Sequence, residues 1–227
     1  MIKTIFFDIG HTLVNIYPVD KKNLFQYFYE QVISNKKSLN FEQAAIASEI
    51  YYQKKCKYSF FNKEKFWIEY YLAGFKSTGF SINAALPLAK QIYCESMNVK
   101  KKLNLIKGVN EILLELRDRG LNLGAISNWS KNLDDDLEEL KIRKYFNIVI
   151  NSESVGTEKP DQKIFLKALT GYSLDETIMV GDLYYMDVLP ALNLGMNAIL
   201  YDSINCLQKK FPCKRITELE GLLELLR

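Results

Sequence analysis

The chain has 227 residues, 48% of them hydrophobic and 25% charged, with 11 Gly and 5 Pro. This is a globular composition, and it excludes a disordered chain, a collagen and a coiled-coil rod. The 30 Lys and Arg against 27 Asp and Glu leave a net charge of +3, too small to point to nucleic acid or an anionic membrane as a partner.

At roughly 100–200 residues per domain, the length holds one large domain, or a core with a modest insertion. The first element runs from Lys3 to Ile9 and ends at Gly10. It is rich in β-branched and aromatic residues and has no helical period, which predicts a buried parallel strand. The apolar stretch before Asp8 is too short for a secretory segment, and nothing approaches the roughly 18 apolar residues of a membrane span. Cys56, Cys94, Cys206 and Cys213 form no CxxC pair, and the single His11 leaves no Cys/His zinc set. These features predict a reduced, cytoplasmic chain.

Residues 15–97 are different. They hold 18 of the 29 aromatics and contain no convincing strand. Breaks near Asn35–Asn40, Tyr58–Asn62 and Phe75–Ser81 predict four helices, inserted after the first strand. The pairs Tyr51-Tyr52, Phe60-Phe61 and Tyr70-Tyr71, with Trp67, are read mainly as helix–helix core. Lys21, Lys54, Lys57 and the run Lys100-Lys101-Lys102 are read as solvated surface.

From residue 103 onward, strands and helices alternate. Strand-like runs are Leu121–Ser127, Asn147–Ile150, Thr177–Val180 and Asn197–Tyr201. Helical spacing links Val109, Ile112, Leu113 and Leu116, then Leu133, Leu137 and Leu140, then Ile164, Phe165, Ala168 and Leu169. A last helix is expected over Glu218–Leu226, behind a Thr217 cap. The alternation predicts an α/β fold, a doubly wound parallel sheet with an inserted helical domain. The expected boundaries are 1–14 and 98–227 for the core and 15–97 for the insertion.

In an open parallel sheet, ligands bind beyond the carboxyl ends of the strands. Asp8, Gly10, His11 and Thr12 follow the first strand, and Ser127 and Asn128 close the second. Lys159 follows the third, and Asp182 and Asp187 follow the fourth. Three carboxylates in one crevice repel one another, and a lysine offsets only part of that charge. A hard divalent cation such as Mg²⁺ fits such oxygen ligands. Lys159, Ser127 and backbone N–H groups suit phosphoryl oxygens, and Asp8 is placed to attack phosphorus.

The order F-F-D-I-G-H-T-L, I-S-N, E-K-P and V-G-D-L-Y-Y-M-D resembles the haloacid dehalogenase superfamily. It is similar to the subgroup with a small helical cap between the first two motifs. The resemblance implies a Rossmann-like core and a Mg²⁺-dependent phosphatase acting on a small phosphorylated metabolite through an aspartyl phosphate. It implies Asp8 as nucleophile and metal ligand, and Ser127, Asn128, Lys159 and Thr12 around the phosphate. Lys159 would also steady Asp8, and Thr12 would order the first loop. The backbone carbonyl of Gly10 and Asp182 would complete the direct metal ligands, with Asp187 acting through water. The helical cap would be a specificity lid, and Tyr184 and Tyr185 would border the pocket.

One position departs from the family pattern. Family phosphatases place a second Asp two residues after the nucleophile, as general acid–base, and here that position is Gly10. Loss of such a group costs about 10²–10⁴-fold in rate. Either His11 takes over the proton transfer, or the substrates are acyl or anomeric phosphates whose leaving groups need no acid. A non-catalytic relative that binds a phosphorylated ligand or a protein is the alternative. Dehalogenation is disfavoured, because that branch carries an amide where this chain has Asp182. A receiver-type signalling domain would be about half as long. The chain also contains no GxxxxGK[ST] and no GxSxG.

Overall fold

The computed structural model describes residues 1–33, 39–56, 62–99, 101–207 and 211–226. The strands, in chain order, are β1 (Thr4–Phe7), β2 (Val14–Asn15), β3 (Asn104–Leu105), β4 (Asn122–Ser127), β5 (Ile148–Asn151), β6 (Thr177–Gly181), β7 (Asn197–Tyr201) and β8 (Lys214–Ile216). The helices are α1 (Leu24–Val32), α2 (Phe41–Lys55), α3 (Lys63–Ser77), α4 (Ile82–Asn98), α5 (Val109–Asp118), α6 (Leu133–Glu139), α7 (Ser152–Val155), α8 (Gln162–Ala168), α9 (Leu189–Leu194) and α10 (Gly221–Leu225). No described helix is long and apolar enough to cross a membrane.

Six strands form one parallel sheet in the order β5-β4-β1-β6-β7-β8. Every residue of β1 is buried, as its unbroken Thr-Ile-Phe-Phe run requires of a central strand covered on both faces. The chain steps out from β1 through β4 to β5, then returns to the other side of β1 for β6, β7 and β8. This is the doubly wound order, and its reversal opens a crevice at the carboxyl ends of β1 and β6. On one face, Val109, Ile112, Leu113 and Leu116 of α5 join Ile5, Phe7 and Leu123 in a fully buried core. The helical spacing read in α5 is therefore the spacing of its buried stripe.

The chain divides into two compact units. One comprises Met1–Ile16, Leu103–Asn205 and Lys209–Arg227, and the other Tyr17–Lys102 with Cys206–Gln208. The two-residue strands β2 and β3 pair antiparallel, Val14 with Leu105 and Asn15 with Asn104. They join the two segments of the sheet unit that flank the insertion. The helical unit has its own aromatic core, in which Phe25, Phe28, Tyr29, Tyr71 and Phe75 are buried edge-to-face or tilted against one another. Three of its helices start at a side-chain cap: Asn40 accepts from Gln43 N at 3.0 Å, Asn62 from Lys65 N at 2.9 Å and Ser81 from Ala84 N at 3.3 Å.

Some expectations fail locally. The edge strand β8 reads Lys-Arg-Ile, and two charged residues in three give no apolar run to recognise. The last helix shortens to α10, and Thr217 does not cap it. Gly221, Leu222 and Leu223 donate to the carbonyls of Glu218, Leu219 and Glu220, so a tight turn takes up the expected first turn. Lys21 is not solvated. It is buried, with Nζ 2.8 Å from Glu49 Oε1, which also accepts from Gln53 Nε2 at 2.8 Å. Glu49 is itself buried, and a buried carboxylate needs such a counterion. Lys54, Lys101 and Lys102 are exposed. Lys57, Phe60-Phe61, Lys100 and much of the first two expected helix breaks lie outside the described residues.

Candidate active site

Asp8 stands one residue beyond β1, and its N–H donates to the Val180 carbonyl at 2.9 Å, continuing the ladder to β6. The β1–β4 register pairs Phe7 with Ala125, which brings Ser127 to the same edge. The Ser127 hydroxyl donates to Asp8 Oδ1 at 3.1 Å. After Asp8 the chain turns tightly. Leu13 and Val14 N–H groups bond the Ile9 carbonyl, and His11 takes the left-handed conformation at φ 60°. The turn returns the buried Thr12 hydroxyl to Asp8, where it donates to Oδ2 at 3.3 Å. Both carboxylate oxygens of Asp8 are therefore held.

Lys159 arrives from the segment after α7, just before the cap of α8. Its ammonium lies 2.5 Å from Asp8 Oδ1 and 2.5 Å from Asp187 Oδ1, and the residue is buried. Burial alone would lower its pKa. The charges of Asp187 and Asp8 and their hydrogen bonds outweigh that, and hold it above the usual lysine range. Lys159 is thus held as the counterion of two buried carboxylates.

Asp182 follows β6, and Asp187 lies on a single π-helical turn, Tyr184–Val188. Such turns re-aim side chains and concentrate at functional sites. Here the turn directs Asp187 back under β6, where Oδ2 accepts from Leu183 N at 3.0 Å. A Cβ on Gly181 would lie 2.5 Å from the Asp187 carboxyl, so only glycine permits this approach. Burial, opposed by Lys159 and reinforced by Asp8 and Asp182, pushes the Asp187 carboxyl up to about 7.

One carboxylate oxygen each from Asp8, Asp182 and Asp187 lies within 4.8 Å of the others, and all three residues are buried. Set against the ammonium of Lys159, a fully ionised cluster carries two negative charges in excess. An all-oxygen donor set with that excess fits one hard divalent cation.

The remaining expected residues fall as follows. Gly10 makes an isolated bridge to Val14. A Cβ placed on it would touch Ile16 Cδ1 at 3.4 Å and Trp129 Cζ3 at 3.5 Å, so two apolar groups border that position. His11 is half-buried on the turn. The Asn128 amide engages the backbone of Lys159: Oδ1 accepts from Lys159 N at 2.7 Å, and Nδ2 donates to Lys159 O at 3.0 Å. Tyr184 is buried and stacked on Phe211 at 4.2 Å between centroids, with Tyr185 edge-on to it at 5.2 Å. The Leu183 N–H and the Trp129 ring belong to the site and went unread in the sequence. Trp129 follows Asn128 directly, which is the only signal for it.

A doubly wound sheet with an aspartate after its first strand, and a lysine and two carboxylates converging on it, is an arrangement of the haloacid dehalogenase type. The profile described as haloacid dehalogenase-like hydrolase matches residues 5–201, and the chain belongs to that family. The chain is 32% identical over 139 residues to haloacid dehalogenase-like hydrolase domain-containing protein 3 of Mus musculus, covering 60% of this chain and 55% of that one. It is 34% identical over 137 residues to glyceraldehyde 3-phosphate phosphatase of Pyrococcus furiosus, covering 55% of each. The chain thus spans about half the length of the curated relatives it matches. The fold is shared with a magnesium-bound HAD-hydrolase from Bacillus subtilis, at a TM-score of 0.62 and 18% identity over 99% of this chain and 98% of that one.

Proposed function

We propose that the chain is a Mg²⁺-dependent phosphohydrolase that removes phosphate from a small phosphorylated metabolite through an aspartyl phosphate on Asp8. The observation that carries this reading is the buried cluster of Asp8, Asp182 and Asp187 with its excess negative charge. An aspartate nucleophile beside a divalent-cation site suits phosphoryl transfer, which needs positioning and charge neutralisation above all. Displacing a halide from carbon needs no such cation. Asp8 and Asp182, the Gly10 carbonyl and, through water, Asp187 are assigned to hold Mg²⁺. Mg²⁺, when bound, neutralises charge on the phosphoryl oxygens and the carboxylates.

Asp8 attacks phosphorus as the bond to the leaving oxygen breaks, and Ser127 and Lys159 bind the equatorial oxygens. Water then cleaves the acyl phosphate, which releases inorganic phosphate and regenerates Asp8. Gly10 offers no acid for the leaving oxygen, so good leaving groups, such as acyl or anomeric phosphates, are favoured. The Pyrococcus furiosus relative is named for an alkyl phosphate, and it supports a small phosphorylated sugar as the substrate class without supporting the leaving-group preference. The helical insertion is assigned to substrate selection.

The test is phosphate release from a panel of phosphorylated metabolites, with and without Mg²⁺, wild type beside Asp8→Asn. Release that needs both Mg²⁺ and Asp8 is expected. A folded protein that binds Mg²⁺ and a phosphorylated ligand, yet releases nothing, would instead establish the non-catalytic reading that Gly10 favours.

A further inference from the structure

Asn128 follows Ser127 directly, and these two neighbours reach the two ends of one ion pair. Ser127 donates to Asp8 Oδ1 at 3.1 Å, and the Lys159 ammonium lies 2.5 Å from the same oxygen. Asn128 grips the backbone of that lysine at both of its hydrogen-bonding groups, at 2.7 and 3.0 Å. An asparagine amide has one carbonyl oxygen and one NH₂, and both ends are engaged by a single residue. A lysine side chain has four rotatable bonds, and its ammonium must sit between two carboxylates. Fixing its backbone removes the coarsest of its freedoms. The residue after Lys159 is Pro160, which has no N–H of its own, and the turn is closed by the Asp161 N–H donating to the Glu158 carbonyl at 2.9 Å.

We infer that Asn128 is a positioning residue that acts through Lys159, and not a ligand of the phosphoryl group. The kinetic part of this inference rests on the phosphohydrolase reading. The structural part does not: the Ser127-Asn128 pair joins the end of β4 to the Lys159 turn and places the ammonium against Asp8. A displacement of about 1 Å at a reacting group can cost on the order of 10²-fold in rate.

The experiment uses wild type, Asn128→Ala, Lys159→Met and the double variant, each checked for a cooperative thermal transition. The first arm labels lysines with a water-soluble succinimidyl ester and reads each site by peptide mass spectrometry. Lys159 labelling should rise several-fold in Asn128→Ala, with Lys131 and Lys163 unchanged as internal references. Asn128→Asp keeps the accepting oxygen and lacks the donor. It takes the place of the alanine variant should that one not fold, with a smaller rise expected.

The second arm measures phosphate release. In Asn128→Ala, kcat should fall on the order of 10–100-fold while KM moves less than about threefold. In the Lys159→Met background the same change should alter kcat less than about twofold, because the residue it acts through is gone. Unchanged Lys159 labelling overturns the inference. So does an equal loss of kcat in both backgrounds, or a raised KM with kcat intact, the result expected of a direct phosphate ligand. If wild type itself releases no phosphate, the phosphohydrolase reading fails and the labelling arm still decides the role of Asn128.

Discussion

Replacing Lys159 with Met removes the ammonium that lies against Asp8 and Asp187 while nearly keeping the side-chain volume. Two contacts of 2.5 Å disappear, and Asp8 and Asp187 stay buried beside Asp182. Deleting one partner of a buried ion pair costs about 3–5 kcal/mol, a large part of the roughly 5–15 kcal/mol that holds a domain folded. The loss should depend on pH. Asp187 has a folded-state pKa raised to about 7, above its unfolded value of about 4. Its contribution is fully present below about pH 4 and is lost as the pH rises through about 7. Metal-free Lys159→Met should therefore be weakest at pH 8, by about 3–5 kcal/mol relative to wild type. At pH 5, where a carboxyl takes up a proton, the deficit should shrink to about 1–2 kcal/mol. Added Mg²⁺ should shrink it at pH 8 as well. Urea unfolding followed through Trp129, in a Trp67→Phe background, reports on the sheet unit. A deficit below about 1 kcal/mol at pH 8, or one identical at both pH values with or without Mg²⁺, would refute the electrostatic account.

Gly181→Ala sets a methyl group 2.5 Å from the Asp187 carboxyl. It should cost about 1–3 kcal/mol in urea unfolding and weaken Mg²⁺ binding by calorimetry; an unchanged Mg²⁺ affinity would detach Asp187 from the cation site. Gly74→Ala in α3 gains about 1 kcal/mol of helix propensity. The new methyl would lie 2.3 Å from Phe25 Cε2 and 2.7 Å from Ser48 Oγ, so the clash should win and lower the melting temperature read through Trp67. Gly10→Asp finds ordinary contacts at 3.4 and 3.5 Å for its Cβ, so the variant should fold. It should raise kcat on alkyl phosphates by about 10²–10⁴-fold and change acyl phosphates little. An equal effect on both substrate types would mean that protonation of the leaving group is not what wild type lacks.

The strands that the sequence shows best are those whose environment is uniform. β1, β6 and β7 are buried almost throughout, so their apolar runs stand out. β8 has one buried residue in three, and β2 and β3 are only two residues long. Such pieces exist because a neighbour pairs with them, and no local pattern encodes that. The placement of Asp8, Ser127, Lys159, Asp182 and Asp187 followed from asking what stands after each parallel strand. The contact of Lys159 with Asp8 is one that the resemblance implies. Its second contact, with Asp187, and the grip of Asn128 on its backbone did not follow, because they are set by backbone geometry across more than one connection. The burial of Lys21 was hidden for a similar reason: its partner, Glu49, lies on the next helix, and a lysine in isolation reads as surface.

The β2–β3 ribbon bears on the order in which the chain can fold. The pairing of Thr4 with Asn122 joins residues separated by more than a hundred positions, most of them in the helical insertion. Once the insertion has formed from its own local contacts and Asn15 lies beside Asn104, the remaining loop shrinks to roughly thirty residues, which lowers the entropy of closure by about 1 kcal/mol. An insertion that lengthens the covalent path between the two central strands thus also supplies a shortcut across it. A helical module of another length, entering and leaving at the same two paired residues, would leave the sheet's search for its register almost unchanged.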